Sequence, residues 1–192
     1  MRRAQVERRT AETWVRVSLD LDGAGASRVH TGLPFLDHML AQWAHHGGFD
    51  LDVEAQGDLP VDAHHTVEDV GIVLGDAFSR ALGEGAGIAR FSSLHAAMDD
   101  ALVLCAVDVS GRPYLYWEMR WNSPLVGAFP TELVEEFFRA FAVHGRLTLH
   151  VVHVHGRNTH HLAEAAFKGV GVVLGRAVRV ERSGHPSTKG VL

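Results

Sequence analysis

A chain of 192 residues, 46% apolar and 21% charged, can bury a core of its own and has the composition of an ordinary globular protein. Its formal net charge of -5 excludes nucleic-acid binding by general basicity, and no apolar run approaches the roughly 20 residues that span a bilayer. The one cysteine, Cys105, sits in the apolar stretch 101–107 and excludes an internal disulfide, while the basic head 1–9 lacks the apolar segment of a signal peptide. A cytoplasmic chain with a buried, inert thiol is expected.

Residues 11–21 carry Trp14, Val15, Val17, Leu19 and Leu21 among polar neighbours, which predicts a half-buried strand. Asp22-Gly23-Ala24-Gly25 predicts a hairpin turn, with 27–31 as the returning strand. Residues 34–46 place Phe35, Leu36, Met39, Leu40 and Trp43 at helical spacing, and Gly47-Gly48 ends that helix. Residues 49–55 alternate as a strand, and Asp62 marks the N-cap region of a helix running to about Leu82.

The second half repeats the order. Residues 91–97, 100–110 and 114–121 are expected strands, with Gly111-Arg112-Pro113 as a turn. A helix follows over 130–144 with Thr131 as its cap, then a strand over 147–155 and a helix from His160 to about Val180. Each half reads β-β-β-α-β-α, an α/β chain of the α+β type in which each sheet, antiparallel or mixed, carries two helices on one face. Residues 1–90 make the first pseudo-repeat half and 91–192 the second, within one domain. The polar tail 183–192 is expected to be a loop or mobile end.

The outlier in composition is histidine, with 14 residues. Asp62-Ala63-His64-His65-Thr66-Val67-Glu68-Asp69 has an echo in Asn158-Thr159-His160-His161-Leu162-Ala163-Glu164. If each His-His opens a helix, residues four apart share a face and the middle residue points about 100° away. His64 and Glu68 then share one ion while His65 turns to another; His160, Glu164 and His161 repeat the arrangement. The echo is wider than the motif. Laid over the first half, the second puts Glu136 on His38 and Leu147, Leu149 and Val151 on Phe49, Leu51 and Val53, as a duplicated unit does.

A lone histidine is ordinarily a capping or surface residue. Two His-His-x-x-Glu copies in register, with the pair His38/Glu136, favour metal binding instead. Helical faces group His64, Glu68, Glu136 and His161 around one ion, and His38, His65, His160 and Glu164 around the other. Nitrogen and carboxylate donors without thiolate suit Mn, Fe or Zn in an open, catalytic arrangement. The remaining histidines read more plainly: His46 and His144 at helix C-termini meet the dipole, and His150, His153 and His155 mark a polar strand end. Arg90, Arg112, Lys168, Ser187 and Lys189 could together grip an anionic group, as guanidinium and hydroxyl donors do with phosphate oxygens.

These residues resemble one family, imidazoleglycerol-phosphate dehydratase. The likeness runs through Arg9-Thr10-Ala11-Glu12-Thr13, Thr31-Gly32-Leu33-Pro34-Phe35-Leu36-Asp37-His38-Met39-Leu40, Gly57-Asp58 and the first His-His segment. It continues through Met98-Asp99, Asp108-Val109-Ser110-Gly111-Arg112-Pro113, Asn158-Thr159-His160-His161, Phe167-Lys168-Gly169 and Ser187-Thr188-Lys189-Gly190. The resemblance implies a duplicated fold in a 24-subunit particle, active sites built between subunits, and two Mn(II) ions per site. It implies loss of water from imidazole glycerol phosphate to give imidazole acetol phosphate, a step of histidine biosynthesis. The same two ligand quartets follow from it, although many relatives have His where this chain has Glu136. Glu12 resembles the acid/base residue, with Glu68 and Glu164 serving catalysis beside the ions. Arg90, Arg112, Lys168, Ser187 and Lys189 resemble the phosphate-binding set. A dinuclear metallohydrolase would use the same ligands against an ester, and a metal-storage protein would leave the cationic residues without a purpose.

Overall fold

The computed structural model describes residues 2–181 and Gly184. Ser187, Lys189 and the rest of the tail lie outside the described residues. The first half contains β1 (Arg3–Arg9), β2 (Thr13–Asp20), β3 (Ser27–His30), α1 (Pro34–Gly47), β4 (Asp50–Gly57) and α2 (His64–Leu82). The second contains β5 (Phe91–Met98), β6 (Ala101–Asp108), β7 (Tyr114–Glu118), β8 (Leu125–Val126), β9 (Phe129–Pro130), α3 (Glu132–His144), β10 (Thr148–His155) and α4 (Thr159–Ala177). The β-β-β-α-β-α order is present twice, the second copy carrying the two-residue strands β8 and β9 as an insertion.

The sheets are built alike. One has the order β1-β2-β4-β3 and the other β5-β6-β10-β7. In each, the first three strands of that order run antiparallel and the last pairs parallel to its neighbour. One expectation needs correction here, and one strand went unread. Asp22-Gly23-Ala24-Gly25 does not close a hairpin, because β4 lies between β2 and β3 and β3 pairs with β4. The loop is instead drawn across the start of β4 by Asp50, whose Oδ1 accepts the Ala24 and Ala26 N–H groups at 2.9 and 3.0 Å. The basic head is itself a strand, β1, paired along its whole length with β2. With Val6 as its one buried side chain, it shows none of the alternation that reveals a strand in sequence.

Alternation explains the central strands. Val15, Val17 and Leu19 of β2 and Leu51, Val53 and Ala55 of β4 point inward, as do Val103, Cys105 and Val107 of β6 and Leu149 and Val151 of β10. Burial pushes the Cys105 thiol up to about 12, so it is inert. Over the first sheet, α2 covers β1 and β2 while α1 covers β3 and β4; over the second, α4 covers β5 and β6 while α3 lies on β7. The two helical faces then meet, α1 against α4 and α2 against α3. Trp43, Phe49, Phe78, Phe137, Phe138, Phe141 and Phe167 fill this middle, all fully buried. Glycine sets how closely the helices approach. A Cβ on Gly171 of α4 would stand 2.4 Å from the Trp43 carbonyl oxygen of α1, and one on Gly75 of α2 would stand 2.8 Å from the Phe141 carbonyl oxygen of α3.

Candidate metal centre

Both His-His pairs open helices, as their spacing predicts. The side chain of Asn158 caps α4 by accepting the His160 and His161 N–H groups at 3.0 and 3.2 Å. Asp62 accepts the His64 N–H at 2.8 Å in the same sense. Thr131 stands at the N-cap of α3, but its hydroxyl donates to the Ser123 carbonyl instead of capping.

One helical turn separates His160 from Glu164, and the two side chains meet with Nε2 and Oε2 3.0 Å apart. His38 reaches the same oxygen from α1 across the helix interface, its Nε2 3.7 Å away. The three ligand atoms all lie within 4.8 Å of one another. Two imidazole nitrogens and a carboxylate oxygen at these spacings fit a divalent cation, whose neighbouring ligands stand about 3 Å apart at bond lengths near 2.1 Å. Glu164 is nearly buried, and its second oxygen holds Lys168 Nζ at 2.6 Å. Burial pushes the Glu164 carboxyl up, but the hydrogen bond and charge of Lys168, the His160 hydrogen bond and the charge of His38 together leave the group below its ordinary value. A cavity of about 480 Å³ opens beside the trio, lined by Leu33, Phe35, His38, Phe129 and His160. A larger groove of about 730 Å³ lies over the first sheet at Arg3, Ser18, Arg28 and Asp52, and holds none of the expected site residues.

The fourth expected partner of this trio, His65, is elsewhere. It forms a second cluster with Glu12 and Asp58. His65 Nδ1 lies 3.0 Å from Asp58 Oδ2 and 3.7 Å from Glu12 Oε2. The Asp58 hydrogen bond, and after it the charges of Glu12 and Asp62, raise the His65 pKa against the opposing effect of desolvation. Local structure puts these groups together. The Thr10 hydroxyl accepts the Glu12 and Thr13 N–H groups at 3.2 and 2.9 Å, shaping the β1–β2 turn that presents Glu12. Arg8 and Thr13 both donate to the buried Asp69 carboxylate, which ties that turn to α2. A Cβ on Gly57 would stand 2.0 Å from Thr66 Oγ1, so glycine lets the end of β4 pass close enough to bring Asp58 to His65.

The other expected quartet is not assembled within one chain. Glu136 lies on α3 and His64 and Glu68 on α2, and among the described residues they form no three-ligand cluster. His161 faces the second half's own β5–β6 turn. Its Nδ1 is 2.8 Å from Asp100 Oδ1 and its Nε2 is 3.6 Å from Asp99 Oδ2. Asp100 also accepts the Arg157 and Asn158 backbone N–H groups, and these bonds, with that of His161, hold its carboxyl well below the usual carboxylate range.

Of the expected phosphate set, Arg90 is held bidentate by Asp108 at 2.7 and 3.2 Å, and Arg112, two-thirds exposed, lies 3.7 Å from the same carboxylate. Lys168 stands apart from them, at Glu164. The pair Arg90 and Arg112 sits at one end of β6 and the His161 pocket at the other. Ala101 to Asp108 spans roughly 23 Å at about 3.3 Å per residue. No role for Asp58, Asp99, Asp100 or Asp108 follows from motif or spacing. In sequence they look like turn and strand-end residues, and Asp100 stands out only once the two sheets are set in register. Leu19 pairs with Leu51 in one sheet and Val107 with Leu149 in the other; stepping back the same seven residues along β2 and β6 reaches Glu12 and Asp100.

Comparison with known proteins adds a family. Residues 31–174 match the family model described as imidazoleglycerol-phosphate dehydratase. The chain is 57% identical to a protein of that name from Desulforudis audaxviator, over 100% of this chain and 98% of the relative. It is 54% identical to one from Caldanaerobacter subterraneus subsp. tengcongensis, over the full length of both. Among solved structures, the Staphylococcus aureus protein of that name superposes with a TM-score of 0.85 at 38% identity, covering 93% of this chain and 99% of that one. The Pyrococcus furiosus protein, solved in complex with (S)-C348, superposes with a TM-score of 0.86 at 38% identity, covering 97% and 100%.

Proposed function

The chain belongs to the imidazoleglycerol-phosphate dehydratase family, hydro-lyases of histidine biosynthesis, and on that premise we propose that it converts imidazole glycerol phosphate to imidazole acetol phosphate with the help of Mn(II). The observation that carries the metal part is the convergence of His38, His160 and Glu164 across the α1–α4 interface. These three would hold one cation, with a His65 contributed by another copy of the chain as a fourth ligand; His64, Glu68, Glu136 and His161 would hold another, likewise completed between copies. When bound, the cations supply Lewis-acid polarisation of the imidazole nitrogens, making the ring able to accept and return electron density.

The chain's own groups account for the remaining requirements. Water is lost as a hydroxyl from C3 and a proton from C2, so a carboxylate must take one proton and deliver another. Glu12 suits this role: its side chain is 56% exposed at a turn, 3.7 Å from the His65 ring, and free to meet a substrate. Glu68 and Glu164 serve the reaction as ligands. Arg112 offers an exposed guanidinium to the phosphate, and Asp108 fixes Arg90 beside it so that two cations share one counter-charge. Lys168, together with Ser187 and Lys189, completes the proposed phosphate grip.

The separation along β6 supports sites completed between copies of the chain, because one chain holds the Arg90–Arg112 pair and its own His161 too far apart for a three-carbon phosphate ester. Self-association, up to a 24-subunit particle, belongs to this proposal, as does the division of the chain into halves 1–90 and 91–192. No helix among the described residues is long and apolar enough to cross a membrane. A cytoplasmic setting is supported by the unpaired, buried Cys105. The test is incubation with imidazole glycerol phosphate and Mn(II), following the keto product after alkali. Product should form with Mn(II), stop with chelator and return on reloading; chelator-resistant turnover would refute the metal role.

A further inference from the structure

The second histidine of each His-His pair is gripped from behind by a carboxylate. His65 Nδ1 lies 3.0 Å from Asp58 Oδ2, and His161 Nδ1 lies 2.8 Å from Asp100 Oδ1. An ionised carboxylate has no proton to give, so Nδ1–H must be the donor in both bonds. In a neutral ring the lone pair then resides on Nε2 alone. The two carboxylates come from different parts of the repeat: Asp58 follows β4, whereas Asp100 lies in the turn between β5 and β6. Copying one unit does not by itself produce this. The same hydrogen bond has been built twice from non-equivalent segments.

We propose that Asp58 and Asp100 are positioning residues, each fixing its histidine as the Nδ1–H tautomer so that Nε2 of His65 and of His161 is presented to a divalent cation. This rests on the metal reading above and adds to it the groups that set ligand orientation, since partners of this kind raise the basicity of a ligating imidazole and fix its plane. Asp100 is the more constrained of the two. Its Oδ2 accepts the Arg157 and Asn158 backbone N–H groups at 2.7 and 3.0 Å, so the carboxylate cannot turn, and it ties the β5–β6 turn to the entrance of α4. Asp58 makes no backbone bond of this kind among the described residues, and its Oδ1 is buried without a partner.

That constraint supplies a test in which positioning and structural roles predict opposite orders. In Asp100→Asn the amide oxygen must stay on the two backbone N–H groups, which leaves the NH₂ facing His161 Nδ1. The amide then donates to Nδ1, the ring proton moves to Nε2, and the ligating lone pair is lost. In Asp100→Ala the loop anchors disappear, but water can take the place of the carboxylate and the ring keeps its choice of tautomer. A residue that only holds the loop would make alanine the worse substitution in every measurement.

The experiment uses the full-length protein, stripped with chelator and titrated with Mn(II) by calorimetry or by the EPR signal of free ion, alongside thermal denaturation without metal. Asp100→Asn is expected to weaken Mn(II) binding about 10–100-fold while its metal-free Tm stays near wild type. Asp100→Ala should lose less Mn(II) affinity than Asp100→Asn and more Tm. Should Asp100→Ala not fold, Asp58→Ala takes its place, with an expected loss of about tenfold in affinity. Binding by Asp100→Asn within about threefold of wild type, or weaker binding by Asp100→Ala than by Asp100→Asn, overturns the inference. Absence of Mn(II) binding by the wild type would instead remove the metal reading beneath it.

Discussion

Across the α1–α4 interface, His38, His160 and Glu164 bring their ligand atoms within 4.8 Å of one another; across the α2–α3 interface the equivalent Glu136, His64 and Glu68 form no such cluster among the described residues. The two interfaces are related by the duplication and are packed the same way, each through glycines that let the backbones meet. The difference lies in charge. The first places one carboxylate between two imidazoles and adds Lys168, which bonds Glu164 at 2.6 Å. The second has two carboxylates, Glu136 and Glu68, at the equivalent positions, and Ile72 stands where α4 has Lys168. Without a cation, the first arrangement is held together by its own counter-charge, whereas the second brings two like charges and no lysine to offset them. A duplicated scaffold therefore yields one cluster preformed in a single chain and, at the related interface, none among the described residues.

A second contrast, between Glu12 and Asp100, gives the largest expected effect. Both stand at the same register before the central strand of their sheet, but Glu12 is free at 3.7 Å from His65 while Asp100 is locked to His161 and the backbone. Glu12→Gln should lower kcat about 10²–10⁴-fold with Mn(II) affinity close to wild type. Near-normal turnover in the fully loaded variant would remove its acid/base role and make the two turns alike.

The shared packing predicts smaller, paired effects on stability. Gly171→Ala drives a methyl to 2.4 Å from the Trp43 carbonyl oxygen and should cost about 1–3 kcal/mol in chemical denaturation. Gly75→Ala meets backbone at 2.8 Å and should cost about 1 kcal/mol, because relief is easier and alanine favours the helix. A reversed order would show that the α2–α3 interface is the tighter one.

Charge, as the origin of the difference, is tested by Glu136→His, which restores the His38 pattern at the second interface. Relief of like-charge repulsion should raise metal-free stability by about 0.5 kcal/mol, or roughly 1–2 °C in Tm. A lowered Tm would point to a stabilising role for Glu136 instead.

The smallest effect separates the loops that follow β2 and β6. Asp50 holds the first through the Ala24 and Ala26 N–H groups, and these bonds lower its pKa. The corresponding Thr148 instead donates to the Arg112 carbonyl oxygen and carries no charge. Because the folded pKa of Asp50 is depressed, its contribution is fully present above the unfolded value of about 3.9 and is lost as pH falls through the folded one. Asp50→Asn should therefore flatten the fall of Tm below about pH 4, while Thr148→Val leaves that slope unchanged.

Much of this was legible in the sequence because it is written in local periods. The alternation of Val15, Val17 and Leu19, the helical spacing of Phe35 to Trp43 and the two His-His-x-x-Glu copies each announce an element or a site within a dozen residues. What escaped depends on distant partners. The strand Arg3–Arg9 is a polar edge whose only signal is its pairing with β2. The insertion of β4 between β2 and β3 is a choice of sheet order, to which the turn residues at 22–25 are blind. Strands as short as Leu125–Val126 carry no period at all. Asp58 and Asp100 look like turn residues until the fold aims them at an imidazole. The separation of His65 from His38, His160 and Glu164 likewise has no trace in spacing.

The α1–α4 trio is the proposed seat of a cation. Its most direct test is the Mn(II) content per chain of wild type and Glu164→Gln, each stripped with chelator, reloaded and freed of excess ion. The variant is predicted to retain less Mn(II) per chain than wild type while keeping its fold by circular dichroism. Equal loading of the two proteins would contradict it.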